Sequence, residues 1–221
     1  MEKIILIGGG GHCKVVIDSI LQGKFFNIIG ILDKYKEPGI KVLNIKILGK
    51  ENLLEKYFKD GIRNTFITLG SVGEPSLRIK LYRDAKKAGY KIPNIINLTA
   101  NFSKYVVLNE GNYIGPLSSV NAGVNIGSNC ILNTGVNIDH DCCIGNFVHI
   151  APGVSISGGV KIGDNTHIGT GSSIKHAMKI GRNTIIGVGS VVVKDIPDSV
   201  IAYGNQCKIM GVNDGKDIYN S

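Results

Sequence analysis

Between Phe102 and Val192 an apolar residue stands at every sixth position without a slip: Phe102, Leu108, Ile114, Val120, Ile126, Leu132, Ile138, Ile144, Ile150, Ile156, Ile162, Ile168, Ile174, Ile180, Ile186 and Val192. A period of six fits neither a 3.6-residue helix nor a single alternating strand carried over about ninety residues. It fits a short strand and a corner, repeated. The residue after each apolar one is usually Gly115, Gly127, Gly145, Gly163, Gly169, Gly181 or Gly187, or else Asn109, Asn121, Asn133 or Asp139. These types tolerate left-handed backbone angles, which predicts the tight corner at that position. Four places after each apolar residue come small or β-branched side chains, among them Val124, Cys130, Val136, Cys142, Val148, Val154, Val160, Thr166 and Ser172. Two inward positions per hexad predict a slender core, and three hexads predict an 18-residue coil, so the sixteen hexads make a little over five coils. Coils of this kind stack at strand spacing, about 4.8 Å. The period does not set the hand of the solenoid.

Residues 1–97 have a different rhythm. A short apolar strand at Lys3–Ile7 precedes Gly8-Gly9-Gly10-Gly11 and a predicted helix from His12 to Leu21. A second strand, Ile28–Leu32, ends at Asp33. Glu51–Lys59 has helical spacing, a third strand covers Thr65–Leu69, and Pro75 suits the first turn of a helix running to Lys87. This order predicts a small Rossmann-like parallel sheet, whose ligands belong at the carboxyl ends of its strands. The fold expected is therefore α/β plus all-β: residues 1–97 as a nucleotide-binding domain, and residues 98–221 as a parallel β-helix closed by a C-terminal cap. Terminal coils need covering, and the stretch after Pro197, with Tyr203, Cys207 and Met210, is expected to supply the far cover.

Composition narrows the function classes. No stretch approaches the roughly 18 apolar residues of a membrane span, and Met1-Glu2-Lys3 with its five-residue apolar run is no secretion signal. Five cysteines without C-x-x-C spacing suggest neither a disulfide framework nor a zinc knuckle, so a reduced, cytoplasmic protein is expected. A net charge of +8 is spread along the chain without a basic block interleaved with aromatics, which argues against nucleic acid as a partner.

Three segments carry a family resemblance: Ile5-Leu6-Ile7-Gly8-Gly9-Gly10-Gly11-His12, the run Asn133-Thr134-Gly135-Val136-Asn137-Ile138-Asp139-His140-Asp141, and Ile144-Gly145-Asn146-Phe147-Val148-His149-Ile150-Ala151-Pro152-Gly153. With them the chain resembles, over essentially its whole length, the hexapeptide-repeat sugar acetyltransferases of the sialic-acid O-acetyltransferase type. Those acting on nucleotide-linked 4-amino sugars in bacillosamine and perosamine pathways are included. The resemblance implies a left-handed solenoid, a homotrimer, acetyl-CoA as co-substrate and a nucleotide-sugar as acceptor.

Acetyl transfer from a thioester needs a base for the nucleophile, donors for the oxyanion, and both substrates held together. His140 sits at a corner, not at an inward position, and its ordinary pKa suits a general base. Asp141 or Asp139 is placed to orient it; the resemblance implies His140 with Asp141. The resemblance further makes His149 a contact to acetyl-CoA near the thioester, and Asn133 a substrate-positioning residue. His149 and His167, 18 apart, are expected to stack on successive coils, but no acidic or cysteine cluster completes a metal site. Gly158, within Ser157-Gly158-Gly159, is the candidate oxyanion donor. Lys175, Arg182 and Lys194 are cations available to CoA phosphates, with Gly187 on the same co-substrate path. A cysteine nucleophile is disfavoured, since Cys142 falls in an inward phase and Cys143 lacks a placed base. In the N-terminal half, Gly8-x-Gly10-x-x-Cys13 departs from the dinucleotide fingerprint at its third glycine. Backbone N–H groups at a helix start still suit a phosphate. Gly9, Gly10, Gly11, His12, Asp33, Gly70 and Ser71 are the residues expected to hold the nucleotide-sugar. O-acetylation of sialic acid or a related nonulosonate, and a non-catalytic nucleotide-sugar-binding solenoid, stand as the alternatives.

Overall fold

A computed structural model describes residues 1–215, which form two compact units, 1–70 with 76–98, and 71–75 with 99–215. The last six residues of the second sequence region lie outside the described residues. No helix among the described residues is long and apolar enough to cross a membrane.

The first unit is a small α/β layer. Its elements are β1 (Lys3–Ile7), α1 (Gly11–Gly23), β2 (Asn27–Leu32), β3 (Lys41–Val42), β4 (Ile45–Gly49), α2 (Leu54–Lys59), β5 (Asn64–Ile67) and α3 (Ser76–Lys87). The strand order is β3-β4-β2-β1-β5. Strands β4, β2, β1 and β5 run parallel, and β3 is the antiparallel arm of a hairpin with β4. Ile4, Ile5, Leu6 and Ile7 are all 0% exposed, as a central strand covered on both faces requires. The glycine loop therefore leaves β1 at the carboxyl edge of the sheet, where α1 begins.

The second unit is a left-handed parallel β-helix. Two-residue strands stack in parallel on three faces. The first face carries Asn101–Phe102, Ser119–Val120, Asn137–Ile138, Ser155–Ile156, Ser173–Ile174 and Val191–Val192. The second runs from Val107–Leu108 to Lys179–Ile180, and the third passes through Tyr113–Ile114, Ile131–Leu132, His149–Ile150, His167–Ile168 and Ile185–Ile186. Both inward columns are dry: Ile138, Ile150 and Ile168, with Val124, Val136, Val148 and Val154, are at most 1% exposed. At the far end Val200–Tyr203 extends the third face and Lys208–Val212 folds back on it antiparallel. In this segment Ala202 is buried, while Tyr203 is 47% exposed and Met210 56%.

The corner glycines do a different job from the one their composition suggested. Left-handed angles fall three residues after each apolar position, at Gly123, Asn129, Gly135, Asp141, Phe147, Gly153, Gly159, Asn165 and Gly171. The position directly after the apolar residue is Gly for reasons of space. A Cβ on Gly163 would sit 2.5 Å from the Arg182 backbone nitrogen, and one on Gly169 2.6 Å from the Gly187 carbonyl carbon. Coils at strand spacing leave no room for a side chain there. Gly163→Ala is therefore expected to cost about 1–3 kcal/mol in denaturant unfolding. Gly171→Asn, in open space at a left-handed position, is expected to stay within about 1 kcal/mol of the parent.

Candidate active site

The corner joining the first face to the second aligns Ala122, His140, Gly158, His176 and Lys194 in one column, because the strands before them pair in register. His140 is exposed there. Its Nδ1 lies 2.8 Å from Asp141 Oδ2, while its backbone N–H donates to Asp139 Oδ1 at 2.8 Å. The two neighbouring carboxylates thus separate into two tasks: Asp141 orients the ring, and Asp139 caps the backbone. Asn121 fixes Asp139 from the coil before, at 2.9 Å. Asp141 reaches the imidazole from a left-handed conformation (φ 59°), one that Asp tolerates. A side chain on Gly123 would collide with its carboxylate, so the glycine there makes room.

The hydrogen bond to Asp141, reinforced by the nearby charge of Asp139, raises the His140 pKa above its ordinary value. Asp139 itself is held below the usual carboxylate range, mainly by Asn121 and then by the His140 N–H. With Nδ1 occupied by Asp141, the other ring nitrogen faces outward as the proton acceptor. It faces Gly158. A Cβ at that position would lie 2.7 Å from Nε2 and Cε1, so only glycine leaves the imidazole edge clear. Elsewhere along the solenoid the equivalent amide is capped by an Asx side chain, as Asn133 Oδ1 caps Thr134 and Asp198 Oδ1 caps Arg182. Ser157 is too short for this, and the Gly158 N–H has no hydrogen-bond partner among the described residues. It is available for a developing oxyanion.

Lys175 and Lys194 are exposed on the same corner beyond Gly158. Beside it, the second face holds a groove of about 1070 Å³ lined by Cys143, Lys161, Lys179, Arg182 and acidic residues including Asp164. Lys161 and Lys179, which the hexad pattern gives no reason to single out, are Cα partners on successive coils of this face. Cys142 is buried, and burial raises its thiol pKa, which removes it as a nucleophile. Among the described residues no group of three or more His, Cys, Asp or Glu is placed to hold a metal.

Other expected site residues lie elsewhere. Asn133 and Gly187 belong to the corner between the third and first faces, and His149 to the third face. Asn133 Oδ1 is used by the Thr134 N–H, and Gly187 is overlaid by Tyr203, whose Cβ lies 2.7 Å from where a Gly187 Cβ would stand. The His149 ring is buried, with Nδ1 2.7 Å from the Ser71 carbonyl oxygen. Within one chain these groups do not meet His140.

In the first unit, Gly10 and Gly11 are exposed with open space where a Cβ would stand, and α1 starts without a side-chain cap or an acidic first turn. Its positive dipole end thus favours an anion at Gly10 and Gly11. Gly9 packs differently. Its N–H donates to Asp33 Oδ2 at 2.6 Å, and Asp33 Oδ1 accepts from the N–H groups of Tyr35 and Lys36. Asp33, expected to face a ribose or base, has both oxygens engaged in bracing the loop. Burial next to the Arg78 charge lowers the His12 pKa to about 3, so its imidazole is neutral at pH 7.

Comparisons with known proteins bear on the family and the fold. The family model "PglD N-terminal domain" matches residues 3–85, and "Bacterial transferase hexapeptide (six repeats)" matches residues 141–176. The structure of PerB from Caulobacter crescentus in complex with CoA and GDP-perosamine is 36% identical, with a TM-score of 0.89, over 96% of this chain and 98% of that one. A histidine-to-asparagine variant of the perosamine N-acetyltransferase from that organism matches at 35% identity and the same TM-score and coverage. The acetyltransferase domain of PglB from Neisseria gonorrhoeae is 29% identical, with a TM-score of 0.87, over 95% of this chain and all of that one.

The raised pKa has a direct check. NMR titration of the His140 imidazole is expected to give a value above the ordinary 6.5. In Asp141→Asn the value should fall towards that figure, because the carboxylate favours the charged ring and an amide does not.

Proposed function

Since the chain belongs to the hexapeptide-repeat N-acetyltransferases of nucleotide-linked amino sugars, we propose that it transfers the acetyl group of acetyl-CoA to the 4-amino group of a nucleotide-linked deoxy-sugar, with His140 as the general base. The observation that carries the reading is the exposed imidazole, oriented by Asp141 at 2.8 Å, with its Nε2 edge kept clear by Gly158.

The sugar nitrogen attacks the thioester carbonyl carbon while His140 Nε2 takes one of its protons. Negative charge collects on the former carbonyl oxygen, where the Gly158 N–H donates. When the tetrahedral centre collapses the carbon–sulfur bond breaks, and the imidazolium returns the proton to the departing CoA thiolate. Asp141 holds the ring in the tautomer with Nε2 free and stabilises the imidazolium. No covalent enzyme intermediate is needed. The cations at Lys175 and Lys194 are assigned to the CoA phosphates, and His149 and Gly187 to the same co-substrate as presented by a neighbouring subunit. Residues 1–97 are assigned to the nucleotide-sugar: phosphate at Gly10, Gly11 and the start of α1, with His12, Asn133 and the Gly70–Ser71 turn completing that set, and Asp33 acting as the brace of the loop. A homotrimer accounts for expected site residues lying on separate surfaces of one chain, and sedimentation equilibrium at three times the 23.6 kDa chain mass is the expected result.

Thiol release from acetyl-CoA is the decisive assay, run with GDP- and UDP-linked 4-amino sugars, CMP-sialic acid and free sialic acid. Turnover is expected with one 4-amino sugar and is expected to fall about 10²–10⁴-fold in His140→Ala. Release with sialic acid alone would move the acceptor chemistry to a hydroxyl. Gly158→Ala is expected to lose at least about 10²-fold in kcat with circular dichroism unchanged, because its methyl group meets Nε2 and displaces the donor.

A further inference from the structure

The net charge of +8 is not shared between the two sequence regions. Residues 1–97 carry 17 Lys and Arg against 9 Asp and Glu, whereas residues 98–221 carry eight of each. Topology gathers much of this excess at one edge of the first unit's sheet. Strands β4, β2, β1 and β5 run parallel, so their first residues lie together at the amino edge, opposite the glycine loop. Exposed cations stand at these strand entries: Lys3 opens β1, Lys24 follows α1 just before β2, and Arg63 precedes β5. Lys91, also exposed, bridges to Asn64, the first residue of β5. The acidic residues adjoining these entries are engaged: Glu2 accepts from Asn64 Nδ2 at 2.9 Å, and Asp60 pairs with Lys56 at 3.4 Å.

The β3–β4 hairpin turns at the same edge. Lys41 and Lys46 are exposed Cα partners, and like charges directly opposite one another destabilise a strand pair. Between them the tip is Leu43-Asn44, both left-handed, at φ 45° and 67°. A tight hairpin asks for that conformation and Asn tolerates it, but a leucine there is strained. Burial does not offset the strain, since Leu43 is 48% exposed. Lysine on an edge strand discourages strand addition; an apolar tip between two of them works against that purpose. Leu21, in the last turn of α1 and 52% exposed, places a second apolar side chain at this edge.

We propose that this edge is a docking surface for an anionic phospholipid membrane, with Lys41, Lys46 and the strand-entry cations facing headgroup phosphates and Leu43 entering the headgroup–acyl boundary. Neither part suffices alone: salt screens the charges, and one shallow apolar residue partitions only weakly. A nucleic acid would match the cations but leave Leu43 without a function, and its bases stack on aromatic rings, which this tip lacks. The glycine loop stands at the carboxyl edge, so docking does not cover the residues expected to hold the nucleotide-sugar.

The test is flotation of the intact chain with vesicles of phosphatidylcholine, alone or with about one-third phosphatidylglycerol. Binding is expected only to the anionic vesicles, and to weaken as sodium chloride rises from about 0.05 to 0.5 M. Lys41→Gln and Lys46→Gln should each weaken it about fivefold. Leu43→Gly should weaken it about three- to tenfold without lowering the midpoint of denaturant unfolding, since glycine suits the left-handed tip. The chain has no tryptophan, so Leu43→Trp introduces a sole reporter, whose emission should shift to the blue on anionic vesicles. Binding is read without substrate, so the outcome is independent of the acceptor. Equal binding to both vesicle types, anionic binding unchanged in the lysine and glycine variants, or an unshifted Leu43→Trp emission would overturn the proposal. So would bare vesicles at low salt; oligonucleotide binding lost in the lysine variants would then give the edge to nucleic acid.

Discussion

The hydrogen bonds from Asn137 N–H to the Val154 carbonyl, and from Ser155 N–H to the Ser172 carbonyl, link residues seventeen apart and so hold Cα partners eighteen apart in a single column. This coil-to-coil register is the constraint on which every other feature of the solenoid depends. A slip of one residue would drive the isoleucine and valine columns out of the dry interior and expose the polar positions to it. The register is therefore enforced by burial along the whole stack, and side chains on the outside inherit it. His140 meets Gly158, Asn121 meets Asp139, and His149 meets His167, each pair eighteen apart, because the core permits no other pairing.

Such a scaffold holds chemistry rigidly at its corners. The strands are only two residues long, so a corner residue is never far from a core anchor on either side. Asp139 and Asp141 flank the base and differ only in backbone conformation. Asp139 caps the His140 amide, and the left-handed Asp141 turns its carboxylate to the ring. The same corner on the next coil has Ser157 and Gly158, where shortness matters twice: no side chain caps the amide, and none crowds the imidazole. The proposed general base and oxyanion donor thus stand on two successive coils with no loop excursion between them.

The N-terminal unit obeys a different economy. Its glycine loop is fixed from within, by the Asp33 carboxylate gripping Gly9 and by the left-handed Gly8 packed against Leu69. Gly10 and Gly11 are left bare at the start of α1. The division between packed and open glycines thus runs through four consecutive identical residues. The Ser71 carbonyl oxygen is held by the His149 side chain, whose Nδ1 lies 2.7 Å away.

The sequence by itself determined the hexad solenoid, the α/β character of the first ninety-odd residues, the corner position of His140 and the inward, inert phase of Cys142. All of these follow from periodicity, and burial enforces periodicity residue by residue. It could not separate Asp139 from Asp141, which differ in φ and not in composition. It placed the left-handed turns two residues too early, because Gly serves both close approach and positive φ, and only the stacked coils reveal which. It gave Asp33 to a ligand, whereas the folded loop already uses both its oxygens. It set His149 beside His167 but had no means of finding Ser71, 78 residues away, at 2.7 Å. Hand, partner and distance are properties of contacts between segments remote in the chain, and those were decided only when the tertiary structure brought the segments together.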